Sequence, residues 1–181
     1  MKQKKLKIHT SARKCQFVVL LKKKLNKMKL YQKILLILLG ILIVMQNIQP
    51  AHNISGQILP TDISKTVNLP DNVLNIFKND CYDCHSNNTR YPWYVNIQPV
   101  GWIMSSHIKT GKENLNFSDF GAYSPRKQTN KLRSIKTSIE EGSMPLPAYV
   151  IMHGSARLNA EDKKILIDWA EKSKDSLMIK K

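Results

Sequence analysis

The sequence predicts an all-α domain preceded by a hydrophobic N-terminal segment. Three observations carry this. Apolar residues in the C-terminal two thirds recur at three- and four-residue spacing. Helix-starting and helix-stopping residues flank those stripes. One run, Ile34–Met45, is wholly apolar or glycine. Composition divides the chain into a basic tail over 1–29, a hydrophobic signal-anchor over 30–48, a linker over 49–68 and a folded domain over 69–176.

The first helix of the domain starts at Leu69-Pro70-Asp71-Asn72, with Asp71 as cap or Pro70 in the first turn. Val73, Leu74 and Phe77 then share one face. A second helix is expected from about Gln98 to Thr110, ending at Gly111. A third starts at Ser124-Pro125, repeats Leu132, Ile135 and Ile139, and stops at Gly142. The last starts at Asn159-Ala160-Glu161-Asp162 and carries Leu158, Ile165, Leu166 and Trp169 as a stripe.

A net charge of +16 suggests nucleic-acid binding, but its distribution argues against it. Residues 1–33 hold 12 of the 29 Lys and Arg and no acid, while residues 51–181 hold 17 basic and all 13 acidic residues. The excess lies in front of the apolar segment, as the positive-inside rule requires of a segment that stays cytoplasmic at its N-terminus. Nucleic acid is therefore not an expected partner. The strict apolar run is 12 residues, which suits a cleaved signal as well as a short span. Without a clear small-x-small cleavage site, an N-terminal anchor in the inner membrane is the preferred reading, with residues from about 50 onward on the periplasmic side.

The chemistry is concentrated in Cys81-Tyr82-Asp83-Cys84-His85. Two thiols three residues apart on one helical turn reach the two vinyl groups of a haem edge, and the adjacent imidazole projects under the iron. A thioredoxin-like pair needs a βαβ context that is absent from the pattern. A structural zinc site needs a second ligand pair, and the remaining cysteine, Cys15, lies in the basic tail. One covalent haem c, with Cys81 and Cys84 as attachment points and His85 as proximal iron ligand, is the expectation. The domain is accordingly expected to be a small cytochrome c-like fold.

The opposite face of the iron decides the function. Met144, in Gly142-Ser143-Met144-Pro145-Leu146-Pro147, sits on a proline-stiffened loop after a helix and is the preferred distal ligand. Met104, His107, Met152 and His153 are the rivals, and an open site is the remaining alternative. Trp93 and Trp102 are expected to shield the iron, with Tyr91-Pro92-Trp93-Tyr94 as a wall of the crevice. Arg90, Lys109 and Lys112 are candidates for pairing with haem propionates, although such residues are usually solvated.

These residues carry a resemblance. Cys81 through Tyr94 (CYDCHSNNTRYPWY), Ile97-Gln98-Pro99-Val100-Gly101-Trp102 with His107-Ile108, Leu115-Asn116-Phe117-Ser118, Met144 through Tyr149 and His153 through Leu158 resemble the bacterial haem-binding domain family of the Bacteroidetes type. The likeness covers about residues 65–175. It implies haem binding, with Cys81, Cys84 and His85 in the attachment and proximal roles.

The expected function is a membrane-tethered one-electron carrier that exchanges electrons with redox proteins at the membrane, and an enzymatic role is less favoured. The alternatives are a haem-based sensor or accessory subunit, or a peroxidase-like enzyme with an open distal site and His107 or His153 as acid–base group. Met28-Lys29-Leu30-Tyr31-Gln32-Lys33 followed by the apolar run also reads as a complete signal of its own, with translation starting at Met28. Mass spectrometry of the native N-terminus checks this: peptides should begin at Met28, and recovery of a peptide over residues 14–22 would refute it.

Overall fold

The computed structural model describes residues 28–179; most of the basic tail, Cys15 included, lies outside the described residues. The chain divides into two units, residues 1–48 and 49–181. Described by itself, the first unit holds one helix among the described residues, α1 (Leu30–Met45), with its apolar side chains exposed. Its 16 residues span about 24 Å at 1.5 Å per residue. No helix among the described residues is long and apolar enough to cross a membrane.

The second unit is all-α, as expected, and contains no strand among the described residues beyond an isolated bridge between Ile54 and Asn88. Its elements are α2 (Ile63–Thr66), α3 (Asp71–Ile76), a π-helical turn (Phe77–Cys81), α4 (Tyr82–His85), α5 (Val100–Asn114), α6 (Pro125–Glu140), α7 (Pro147–Met152) and α8 (Ala160–Ile179). Short 3-10 turns cover Trp93–Asn96, Phe117–Ala122 and Gly154–Ala156. The expected helices are present, with shifted ends. Pro70 caps α3, so Asp71 is its first helical residue. Ser124 Oγ accepts from the Lys127 amide to start α6, and Gly142 (φ +68°) turns the chain after it. Asn159 Oδ1 accepts from the Asp162 amide at the start of α8 (2.8 Å).

Gly111 corrects the sequence reading. It does not end α5, which continues to Asn114. It sits where α5 meets α4, and a Cβ there would come within 2.6 Å of the Cys84 carbonyl oxygen. The glycine permits close approach; it is not a terminator.

Residues 49–68 are the second correction, because they pack as part of the domain and not as a linker. Asn53 Nδ2 donates to the Ser86 carbonyl (2.8 Å) and the Thr89 hydroxyl (2.9 Å), and the Thr89 amide donates back to the Asn53 carbonyl (2.9 Å). The Ser55 and Gly56 amides donate to Asn88 Oδ1. Ile63 is fully buried, and Thr61 and Thr66 close against Gly121. The polar composition of this stretch reflects hydrogen bonding within the domain.

The core forms where α3, α6 and α8 meet the segment around Phe117. It contains Ile63, Val73, Phe77, Phe117, Phe120, Leu132, Leu166 and Trp169. Phe77 stacks on Phe117 (4.7 Å between ring centroids) and meets Trp169 edge-on (5.1 Å). Trp169 Nε1 donates to the Asn68 carbonyl (2.9 Å), and Lys136 of α6 pairs with Glu171 of α8 (2.8 Å).

Gly111→Ala should lower the urea midpoint of unfolding, at a cost of about 1–3 kcal/mol, because its new methyl group meets backbone and not a yielding side chain.

Candidate functional site

The site is built on one short stretch of helix. The π turn Phe77–Cys81 runs directly into α4, which ends at His85. Phe77 holds the start of this stretch in the core. At its end, His85 Nδ1 donates to the Leu115 carbonyl (2.9 Å). This bond selects the tautomer and leaves Nε2 as the ring nitrogen with a free lone pair. Burial pulls the His85 pKa down, while the backbone carbonyls of Leu115 and Gly111 oppose it. The neutral, metal-ligating form is thereby favoured.

Cys81 and His85 line a cavity of about 300 Å³. Its apolar walls come from Phe77, Phe117, Ile135, Ile139, Leu158 and Leu166, and Met144 and Pro145 close another part of it. Of the five candidates for the distal position, only Met144 lines this cavity. Its loop is held at one end by α6, where the Ser138 carbonyl accepts from the amides of Ser143 (3.0 Å) and Met144 (3.3 Å). Met152 is exposed, His107 lies on α5 away from the cavity, and His153 is engaged elsewhere.

Other expected residues are not brought here. Cys84 does not line the cavity; its backbone abuts Gly111 on α5. Burial pushes the Cys84 thiol up to about 11, helped by Asp83, and pushes Cys81 higher still, helped by Asp80 and Cys84. Both thiols are therefore protonated at neutral pH. Trp93 is 76% exposed and Trp102 sits on α5; neither lines the cavity. The aromatic wall is Phe77 and Phe117. Tyr91 and Tyr94 instead serve as braces: the Tyr91 hydroxyl accepts from the Asn53 amide (2.7 Å), and the Tyr94 hydroxyl lies 3.1 Å from His153 Nε2. Arg90 pairs with Asp83, and Lys112 donates to Asn53 Oδ1.

Several residues escaped the sequence reading. Lys131, Ser134 and Ser138 of α6 line the cavity with Ile135 and Ile139, and Asn114 joins them. Their spacing around the apolar stripe was available as a signal, but the same pattern describes an ordinary solvated flank. Asp80 also lines the cavity, and its Oδ1 is buried without a hydrogen-bond partner among the described residues. Burial, then repulsion from Asp162, raises its pKa to about 6, with Arg90 opposing.

An all-α domain whose apolar cavity presents one imidazole, one thioether and one thiol, with a lysine, a carboxyl, hydroxyls and an amide beside them, is suited to an apolar, metal-bearing prosthetic group. These residues fit haem: His85 Nε2 and the Met144 thioether suit the iron, the apolar walls suit the ring, and Lys131, Ser134 and Ser138 suit the propionates. The chain belongs to the haem-binding domain family, whose sequence model matches residues 40–172. No curated protein and no solved structure matches the chain. The protein is thus a haem-binding protein of all-α fold.

A carboxyl whose pKa is higher folded than unfolded binds its proton more tightly in the folded state. Its contribution to stability is full below about pH 4 and is lost as pH rises toward about 6. Asp80→Asn should therefore raise the urea midpoint at pH 7 relative to wild type and flatten the change in stability between pH 4 and 6.

Proposed function

We propose that this protein is a one-electron carrier with a single haem c, attached through Cys81 and Cys84, ligated by His85 and Met144, and tethered to the periplasmic face of the inner membrane. The observation that carries the reading is the convergence of His85 and Met144 on one apolar cavity, with His85 Nδ1 already committed to the Leu115 carbonyl. The bound haem supplies the one-electron chemistry. The rest falls to this chain. The Leu115 carbonyl orients the imidazole and strengthens it as a donor. The Met144 thioether, as a second ligand, would raise the potential and close the site to small ligands. Phe77, Phe117, Ile135, Ile139, Leu158 and Leu166 keep water away. Cys81 on the cavity wall, and Cys84 once its side chain turns toward the cavity, would hold the haem as thioethers, each S–H adding across one vinyl C=C with no net oxidation or reduction.

Anchoring is supported by the basic residues that precede α1 and by its exposed apolar surface. Its 16 helical residues are shorter than a usual span, so flanking residues or local bilayer thinning must make up the difference. The partners are redox proteins at the same membrane. A peroxidase role is less well supported, because among the described residues no histidine besides His85 lines the cavity.

The ferric spectrum tests the reading. Wild-type protein should show the weak far-red band of thioether ligation, and its ferrous form should bind CO slowly. Met144→Ala should abolish the band and make CO binding rapid. An unchanged spectrum in that variant, or the absence of a haem adduct on the 81–85 peptide, would overturn the assignment.

A further inference from the structure

Asp83 stands between the two cysteines, yet it faces away from the cavity that Cys81 and His85 line. Asp83 is only 5% exposed, and its carboxylate is fully engaged. Oδ1 accepts from the Arg90 amide (3.0 Å) and Arg90 Nε (3.2 Å), and Oδ2 accepts from the Tyr149 hydroxyl (2.8 Å). Tyr149 belongs to α7, five residues beyond Met144. Between them stand Pro145 and Pro147, whose rings fix φ and leave few ways to bend. Tyr149 is in turn stacked on His153 (4.2 Å between ring centroids, 21° between planes), and His153 Nδ1 donates to the Tyr149 carbonyl (3.2 Å). Tyr94 meets the far nitrogen of that ring.

The Met144 loop is therefore held twice. Ser138 holds it to the end of α6, and the Tyr149–Asp83 bond holds it to the helix that carries the haem motif. The first hold involves neutral backbone groups. The second is a hydrogen bond to a buried carboxylate already fixed by Arg90, the stronger kind. It is also the one that ties Met144 to the same short helix as His85.

We infer that Tyr149 is a positioning residue: its hydrogen bond to Asp83 clamps the Met144 loop to the haem-motif helix and so governs how readily an exogenous ligand gains the iron's distal position. The inference rests on Met144 being the distal ligand. The clamp lies outside the cavity, so it changes the lifetime of the Met144 bond without altering the ligand set. In Tyr149→Phe the ring and its stacking on His153 remain, and only the hydroxyl is lost.

The test uses the full haem-loaded chain and CO as the probe. In wild type, CO binding to the ferrous protein should be limited by release of Met144. Tyr149→Phe should keep the ferric far-red band and raise the CO binding rate by about tenfold, the factor that corresponds to losing one hydrogen bond to a charged group. In the Met144→Ala background the same substitution should change nothing. Phe120→Leu, a core change at a residue outside the cavity wall and the Met144 loop, should lower stability and leave the rate alone. Should Tyr149→Phe match wild type while the far-red band is present, the clamp is refuted and the Met144 assignment stands. An equal acceleration in Phe120→Leu would also refute it, as general loosening. Absence of the band in wild type would overturn the ligand assignment, and the clamp with it.

Discussion

Much of this domain depends on the stacking of Phe77 on Phe117. Phe77 opens the helical stretch that ends in His85, and Phe117 lies two residues beyond Leu115, whose carbonyl receives the His85 ring. One aromatic contact thus fixes both the base of the haem motif and the segment that orients its imidazole. Trp169 closes on the edge of Phe77 from α8 and is tied by its indole N–H to Asn68, just before α3. The same two phenyl rings form part of the cavity wall. At these two rings core packing and site geometry share their contacts, so a change at either ring moves both.

What could be read from the sequence follows from the range of the interactions involved. The helix starts at Ser124 and Asn159 and the turn at Gly142 are local: a side chain or a backbone angle acts within three or four residues, so the pattern is visible in the chain. The CxxCH motif is local for the same reason, since its spacing is one turn of helix. Met144 was legible as a candidate because two prolines and a glycine mark its loop, and the structure brings it to the same cavity as His85.

What was not legible depends on contacts far apart in the chain. Gly111 reads as a helix end until Cys84 is placed against it from another helix. Residues 49–68 read as a linker because their partners, Ser86 through Thr89, lie some 30 residues on. The aromatic run around Trp93 suggests a haem wall, but nothing in its composition shows which side faces inward. Its tyrosines brace Asn53 and His153, while the aromatic part of the cavity lining is two phenylalanines 40 residues apart. Asp83 and Tyr149 are 66 residues apart, and neither draws notice alone.

The stitching of residues 49–68 into the domain also sets where the domain can be cut. Gln98 is 1% exposed, and its side-chain amide donates to Gln49 Oε1 (2.8 Å). Gln49 in turn donates to the Asn96 carbonyl. A fragment beginning at residue 69, where amphipathic helices take over, would strip Gln49 from Gln98, leave Ser86 and Thr89 without Asn53, and uncover the pocket that Ile63 fills. A fragment beginning at Gln49 keeps all of them. The amphipathic pattern and the folding unit have different starting points, and a protease acting on the native chain would be expected to find the second.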